Sequence, residues 1–129
     1  MADLQTWHLR DRTIGPLTLE VEYQPSEQWT QLKRYPEEDF DTYLVEESNY
    51  STFGVKEGRI NWVLCGQSFV FDGVEHLGRP RRVINELYEK GDSDWVDGTY
   101  LTLVLGETRV DYFQVEESIC WVKVTISHS

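Results

Sequence analysis

Residues 35–47 read YPEEDFDTYLVEE, and whether this stretch coils or extends decides how much helix the chain contains. Proline suits a first helical position, and Glu37, Glu38 and Asp39 would then face the positive end of the helix dipole. Phe40, Tyr43, Leu44 and Glu47 follow at i, i+3, i+4 and i+7, the spacing of one apolar helix face. The spacing predicts a helix from about Pro36 to Glu47. The competing reading is a strand through TYLVEE. Either way the stretch holds six carboxylates (Glu37, Glu38, Asp39, Asp41, Glu46, Glu47) and no Lys or Arg. Like charges at this density oppose compaction, so the run is a solvated face or is kept for something outside the chain.

Working outward from it, LTLEVEY (residues 17–23) alternates Leu17, Leu19, Val21 and Tyr23 with Thr18, Glu20 and Glu22, the pattern of a half-buried strand. TWHLRDR before it is a weaker strand, with a turn at Gly15 and Pro16. Trp29, Leu32 and Lys33 suggest one or two helical turns in SEQWTQLKRY. After residue 50, STFGVKEGRINWVLCGQSFVFDG is β-branched, aromatic and broken by glycines, as in a meander of short antiparallel strands.

RPRRVINELYEKG is the clearest helix. Pro80 stands at its start, Val83, Ile84, Leu87 and Tyr88 form a stripe, and Gly91 suits a left-handed stop. TYLTLVL, ETRVDYFQV and SICWVKVTIS then read as three strands, the first two joined by a tight hairpin at Gly106 and Glu107. TYLTLVL is apolar at both parities, which predicts a central strand covered by a helix. The expected fold is α+β: a curved, mainly antiparallel sheet of about six to eight strands packed with one or two helices.

Length and composition agree with that. The 129 residues fit a single domain, residues 1–129, and 40% hydrophobic with 13% aromatic residues is enough to build a core. The net charge of -11 disfavours nucleic acid and anionic membrane as partners, because both require Lys and Arg to displace counterions. Cys65 and Cys120 lie in apolar strand-like runs and read as reduced, buried thiols. With no signal-like N-terminus and no run of eighteen apolar residues, a cytoplasmic protein is expected.

The chemical constellations are sparse. His8, His76 and His128 have neither each other nor a cysteine at ligand spacing, so no metal or other cofactor is expected. Asp92, Asp94 and Asp97 cluster in DSDWVDG, but Val96 and Asp97 stand where a calcium loop needs an oxygen ligand and a glycine. No G-x-S-x-G occurs and Cys65 sits in an apolar strand, so the chain is read as not an enzyme.

Two features remain. Arg79, Arg81 and Arg82 crowd a helix start whose dipole repels cations, either as an anion site or as partners of the chain's own acids, such as those near Pro36. Trp62 and Trp121 are expected in the core. Trp95, between Asp94 and Asp97, is either an interface anchor or a loop residue folded back.

These features together fit a small acidic binding or inhibitor protein that docks on a basic partner protein. Its partner-binding residues would be Glu37, Glu38, Asp39, Asp41, Asp92, Asp94, Trp95 and Asp97. Immunity proteins and antitoxins that neutralise nuclease toxins, and inhibitors of nucleic-acid-binding defence enzymes, share this profile of charge and size. The alternative is a small-molecule or anion-binding module with a barrel-like sheet, using Arg79, Arg81 and Arg82.

Overall fold

The computed structural model describes residues 6–46, 48, 50–95 and 100–127. Glu47, Asp97 and His128 lie outside them, and of Asp92 only the backbone is described. Three short strands open the chain, β1 (Leu9–Arg10), β2 (Thr13–Ile14) and β3 (Leu17–Thr18), in one small antiparallel sheet. The main strands are β4 (Trp29–Gln31), β5 (Asp41–Val45), β6 (Thr52–Lys56) and β7 (Arg59–Cys65). A hairpin of β8 (Val70–Phe71) and β9 (Val74–Glu75) and a helix α1 (Arg81–Leu87) follow. The chain closes with β10 (Tyr100–Leu105), β11 (Thr108–Val115) and β12 (Ser118–Ile126).

Seven strands form one antiparallel sheet in the order β10-β11-β12-β7-β6-β5-β4. Among the described residues the fold is therefore mainly β with one α-helix, rather than clearly α+β. The sheet is open, with β10 and β4 at its edges, so it is not a barrel.

Period-two alternation decides its two faces. Leu101, Leu103, Val110, Tyr112, Val122, Val124, Val63 and Phe53 are buried on the inner face. Trp7, Leu9, Ile14, Leu17 and Leu19 from the first strands, Phe69 and Leu77 around β8 and β9, and Ile84 of α1 complete this core.

Residues 41–45 are a strand, not part of a helix. Tyr43 stacks on Phe53 with ring centroids 5.3 Å apart, Val45 is buried, and the backbone of β5 pairs with β6 on one side and β4 on the other. A helix would have left β4 without a ladder and β6 with only β7, and four carboxylates at 37–41 without a base at i+4 give it little support. Trp29 likewise begins an edge strand rather than helical turns.

LTLEVEY breaks after Thr18 because Glu20 adopts φ 66°, which swings Val21 out to 46% exposure. The left-handed residue that stops α1 is Glu89, φ 55°, not Gly91. TYLTLVL is an edge strand, not a central one. Its leucines point inward, while Tyr100, Thr102 and Val104 line the outer face, Val104 with 62% of its surface exposed.

Candidate functional site

The acidic run is carried by the loop from β4 into β5, and the loop is tied down. Arg34 donates through Nε and Nη2 to the carbonyl of Glu38, at 3.1 and 2.8 Å. The Glu38 carboxylate accepts from the backbone N–H of Tyr35 at 2.9 Å, and the Glu38 N–H donates back to the Tyr35 carbonyl at 3.0 Å. Asp41 pairs with Arg34 at 3.7 Å and Asp39 with Lys56 at 3.0 Å. Lys56 holds the Asp39 carboxyl below its ordinary pKa. Glu37 is exposed, with no side-chain partner among the described residues. The run is thus less bare than its sequence, since two of its acids meet bases from outside it.

Strand pairing gathers further acids at the same end of the sheet. The β6–β7 turn carries Glu57 and the β10–β11 turn carries Glu107, and Asp41 pairs with Val55 at that end. Cations there are engaged as well: Arg59 donates to the Glu20 carbonyl at 3.1 Å and Arg109 meets Asp111 at 3.3 Å.

Asp94 and Trp95 belong elsewhere. They precede the Tyr100 end of β10, which pairs with Phe113 at the opposite end of the strands, so the two acidic segments do not share a surface. Trp95 is 6% exposed and its indole N–H donates to Asn85 Oδ1 at 2.8 Å, so it folds back onto α1 and is not a surface anchor. Asp94 accepts from the N–H of Gly91 at 2.7 Å.

The arginine cluster lies against the β11–β12 turn. Arg81 N–H donates to the Glu117 carbonyl and Ile119 N–H to the Arg79 carbonyl, both at 2.8 Å. The start of α1 therefore already directs one of its N–H groups at a protein carbonyl, and the acids beside it are Glu116 and Glu117 rather than those near Pro36. The seven-stranded sheet is open, so the barrel-like closure expected of the anion-binding alternative is not formed.

Sequence reasoning missed a cleft on the outer face. Trp62 and Trp121, expected in the core, are only half-buried and lie on the side of the sheet opposite it. Trp62 lies across Gly54 of β6, and Phe40 meets it edge-on at 5.7 Å. Phe113, Leu64 and Lys123 complete a cavity of about 430 Å³ with Asn61, Asp39 and Lys56 at its margin. The only sequence signal was Gly54, a strand glycine marking close approach of a neighbour.

Buried histidine chemistry is also present. His76 is fully buried, its Nδ1 2.8 Å from the Tyr112 hydroxyl and its Nε2 3.3 Å from that of Tyr88. Burial lowers its pKa to about 4, so it is neutral at pH 7 and bridges two phenols as one donor and one acceptor. Beside it, Glu75 accepts from Ser68 Oγ at 2.6 Å and from the Phe69 N–H at 2.7 Å. With every polar atom of the imidazole engaged inside the core, this is a structural network.

Among the described residues no group of three or more His, Cys, Asp or Glu side chains is arranged to hold a metal ion. No helix among them is long and apolar enough to cross a membrane. No family model matches the chain, and neither does any curated protein or solved structure.

Proposed function

We propose that the chain is a cytoplasmic, non-catalytic binding protein of the immunity or inhibitor type, which docks the acidic end of its sheet on a basic partner protein. The observation that supports this reading best is the 34–41 loop, whose carboxylates are displayed on a backbone fixed by Arg34, Glu38 and Lys56. Exposed ion pairs of this kind contribute little to folding, because water and salt screen them. Their larger effect is preorganisation, because a loop already held in shape loses less entropy on binding. The net charge of -11 adds long-range attraction and fast association with a cationic cleft, such as that of a nuclease toxin or another nucleic-acid-binding enzyme. Two free cysteines, Cys65 and Cys120, suit a reducing compartment.

The test leaves the loop intact. Glu38, Asp39 and Asp41 all hold the loop together, so the substitutions belong at the exposed tips: Glu37→Lys, Glu57→Lys and Glu107→Lys combined. Tagged wild type and variant are used to recover partners from the source organism at low and high salt, and the association rate of any basic protein recovered is then measured. A partner retained by wild type at low salt should associate at least about tenfold more slowly with the variant, the gap closing as salt screens the charges. Equal rates for the two proteins across salt would reject the acidic end as the docking surface.

A further inference from the structure

The outer face of the sheet has a cation where the chain's charge balance would not leave one. Acids outnumber bases 23 to 12, yet among the described residues no carboxylate lies within ion-pair distance of Lys123 Nζ. The nearest candidate by register is Asp111, directly opposite on β11. Asp111 instead turns toward the sheet edge, where its Oδ1 accepts from Thr102 Oγ1 at 2.6 Å and from Arg109 Nε at 3.3 Å. The Lys123 ammonium is left over the Trp62 ring, 5.6 Å from its centroid.

The surroundings of that ammonium are built rather than incidental. Gly54 has no side chain to hold the indole off the sheet, so Trp62 lies flat, and Phe40 fixes its edge. A bulge displaces the register between the Gly54–Trp62 and Val55–Ile60 pairs, passing over Asn61. Bulges of this kind re-aim a side chain, and here Asn61 joins Trp62 in lining the same cleft. Phe113 and Leu64 supply the remaining apolar walls. The cavity of about 430 Å³ lies within the range of small-ligand sites, roughly 300–1,000 Å³.

We propose that this cleft binds a small planar ring bearing a single carboxylate, the ring against Trp62, Phe113 and Leu64 and the carboxylate on Lys123, with the Asn61 amide as a second donor. A flat apolar body gains from the aromatic walls, and its charge gains the ion pair that Lys123 lacks. One unpaired ammonium matches one negative charge. Asp39 and Lys56 at the margin pair with each other, which leaves Lys123 as the cation for the ligand. The cleft borders the 34–41 loop through Asp39, Phe40 and Lys56, but its proposed donors are Lys123 and Asn61, neither of them changed in the docking test, so the two readings can fail separately.

The probe is indole-3-acetate, titrated into the isotope-labelled full-length protein and followed by amide and indole NMR shifts. Indole-3-acetamide serves as the uncharged ring, acetate as the charge without a ring, and phenyl phosphate as the doubly charged ring. Indole-3-acetate should saturate with shifts centred on Asn61, Trp62, Phe113 and Lys123, and should bind at least about tenfold more tightly than the amide. Lys123→Gln should remove the difference between acid and amide while leaving the weak binding of the ring. Wild-type shift mapping keeps the test valid even if that variant folds poorly. Equal affinity for acid and amide, no saturation by about 10 mM, or shifts centred on Arg79, Arg81 and Arg82 would overturn the proposal. Tighter binding of phenyl phosphate would reject the carboxylate class.

Discussion

The indole of Trp62 on β7 lies directly over Gly54 on β6, where a β-carbon would collide with Nε1 and Cε2. Gly54→Ala therefore cannot be absorbed without moving the ring, which Phe40 holds from the side. The substitution should cost about 1–3 kcal/mol, the usual range for overpacking, despite the slight gain from a stiffer unfolded chain. In a Trp62→Leu background the same change should cost much less. Urea unfolding of the four proteins of this double-mutant cycle measures the coupling. A neutral Gly54→Ala in the wild-type background would show that the indole does not rest on this strand.

The His76 network gives stability a pH dependence with a definite sign. Folding holds the imidazole neutral with a pKa of about 4, against the ordinary histidine value of about 6.5 in the unfolded chain. The unfolded chain therefore takes up the proton first. Stability should be flat above about pH 7 and should fall as pH drops through 6.5 toward 4, by about 2 kcal/mol at pH 5. Urea unfolding at several pH values, with imidazole NMR shifts to assign the protonation, checks it. A His76 ring already protonated at pH 6 in the native state would contradict the burial argument.

The strands after residue 50 were legible because their alternation agreed with their packing: Val110, Tyr112, Val122 and Val124 are inward at every second position. The helix was legible for the same reason, with Pro80 at its boundary and Ile84 buried. Residues 36–47 were ambiguous because Phe40, Tyr43 and Leu44 satisfy a helical spacing, while Thr42, Leu44 and Tyr43, Val45 also satisfy a strand's two faces. Pairing with β6 decided between them, and that contact is not local.

The break at Glu20 carried no glycine to announce it. For the candidate sites, the acid run was visible as composition, but its anchors Arg34 and Lys56 lie outside the quoted stretch and meet it only in three dimensions. The cleft draws on Phe40, Trp62, Phe113 and Lys123 from separate segments, so no window of sequence contained it.

The two thiols should separate by reactivity. Cys65 is fully buried on the inner face, which raises its pKa, whereas Cys120 is half-buried with its thiol 3.6 Å from the Ser118 carbonyl. The pair is therefore free, as expected, but only one member is buried. In the native state Ellman's reagent should label one thiol at most, slowly, and both after denaturation without reductant. Cys120→Ser should abolish the native signal. Native labelling that persists in that variant would mean that β7 opens readily.

The tightest strain in the sheet lies at the β11–β12 turn, where Val115 pairs with Ser118 across Glu116 and Glu117. Both acids sit in the left-handed region, at φ 52° and 78°, the conformation of a two-residue hairpin that normally selects Asn-Gly. A side chain there costs roughly 1 kcal/mol or more, and two adjacent carboxylates add repulsion. The turn nevertheless holds α1 in place, because the Glu117 carbonyl receives the Arg81 N–H. A backbone bond survives a change of side chain, so Glu116→Asn with Glu117→Gly should keep the helix docked while relieving the strain. We expect a gain of about 1 kcal/mol, read as a higher urea midpoint with an unchanged m-value. A loss of stability instead would mean that the Glu116 and Glu117 carboxylates contribute more to the fold than the strained backbone costs. Repeating the measurement in 0.5 M salt would then shrink that loss, since screening weakens ion pairs and leaves backbone strain untouched.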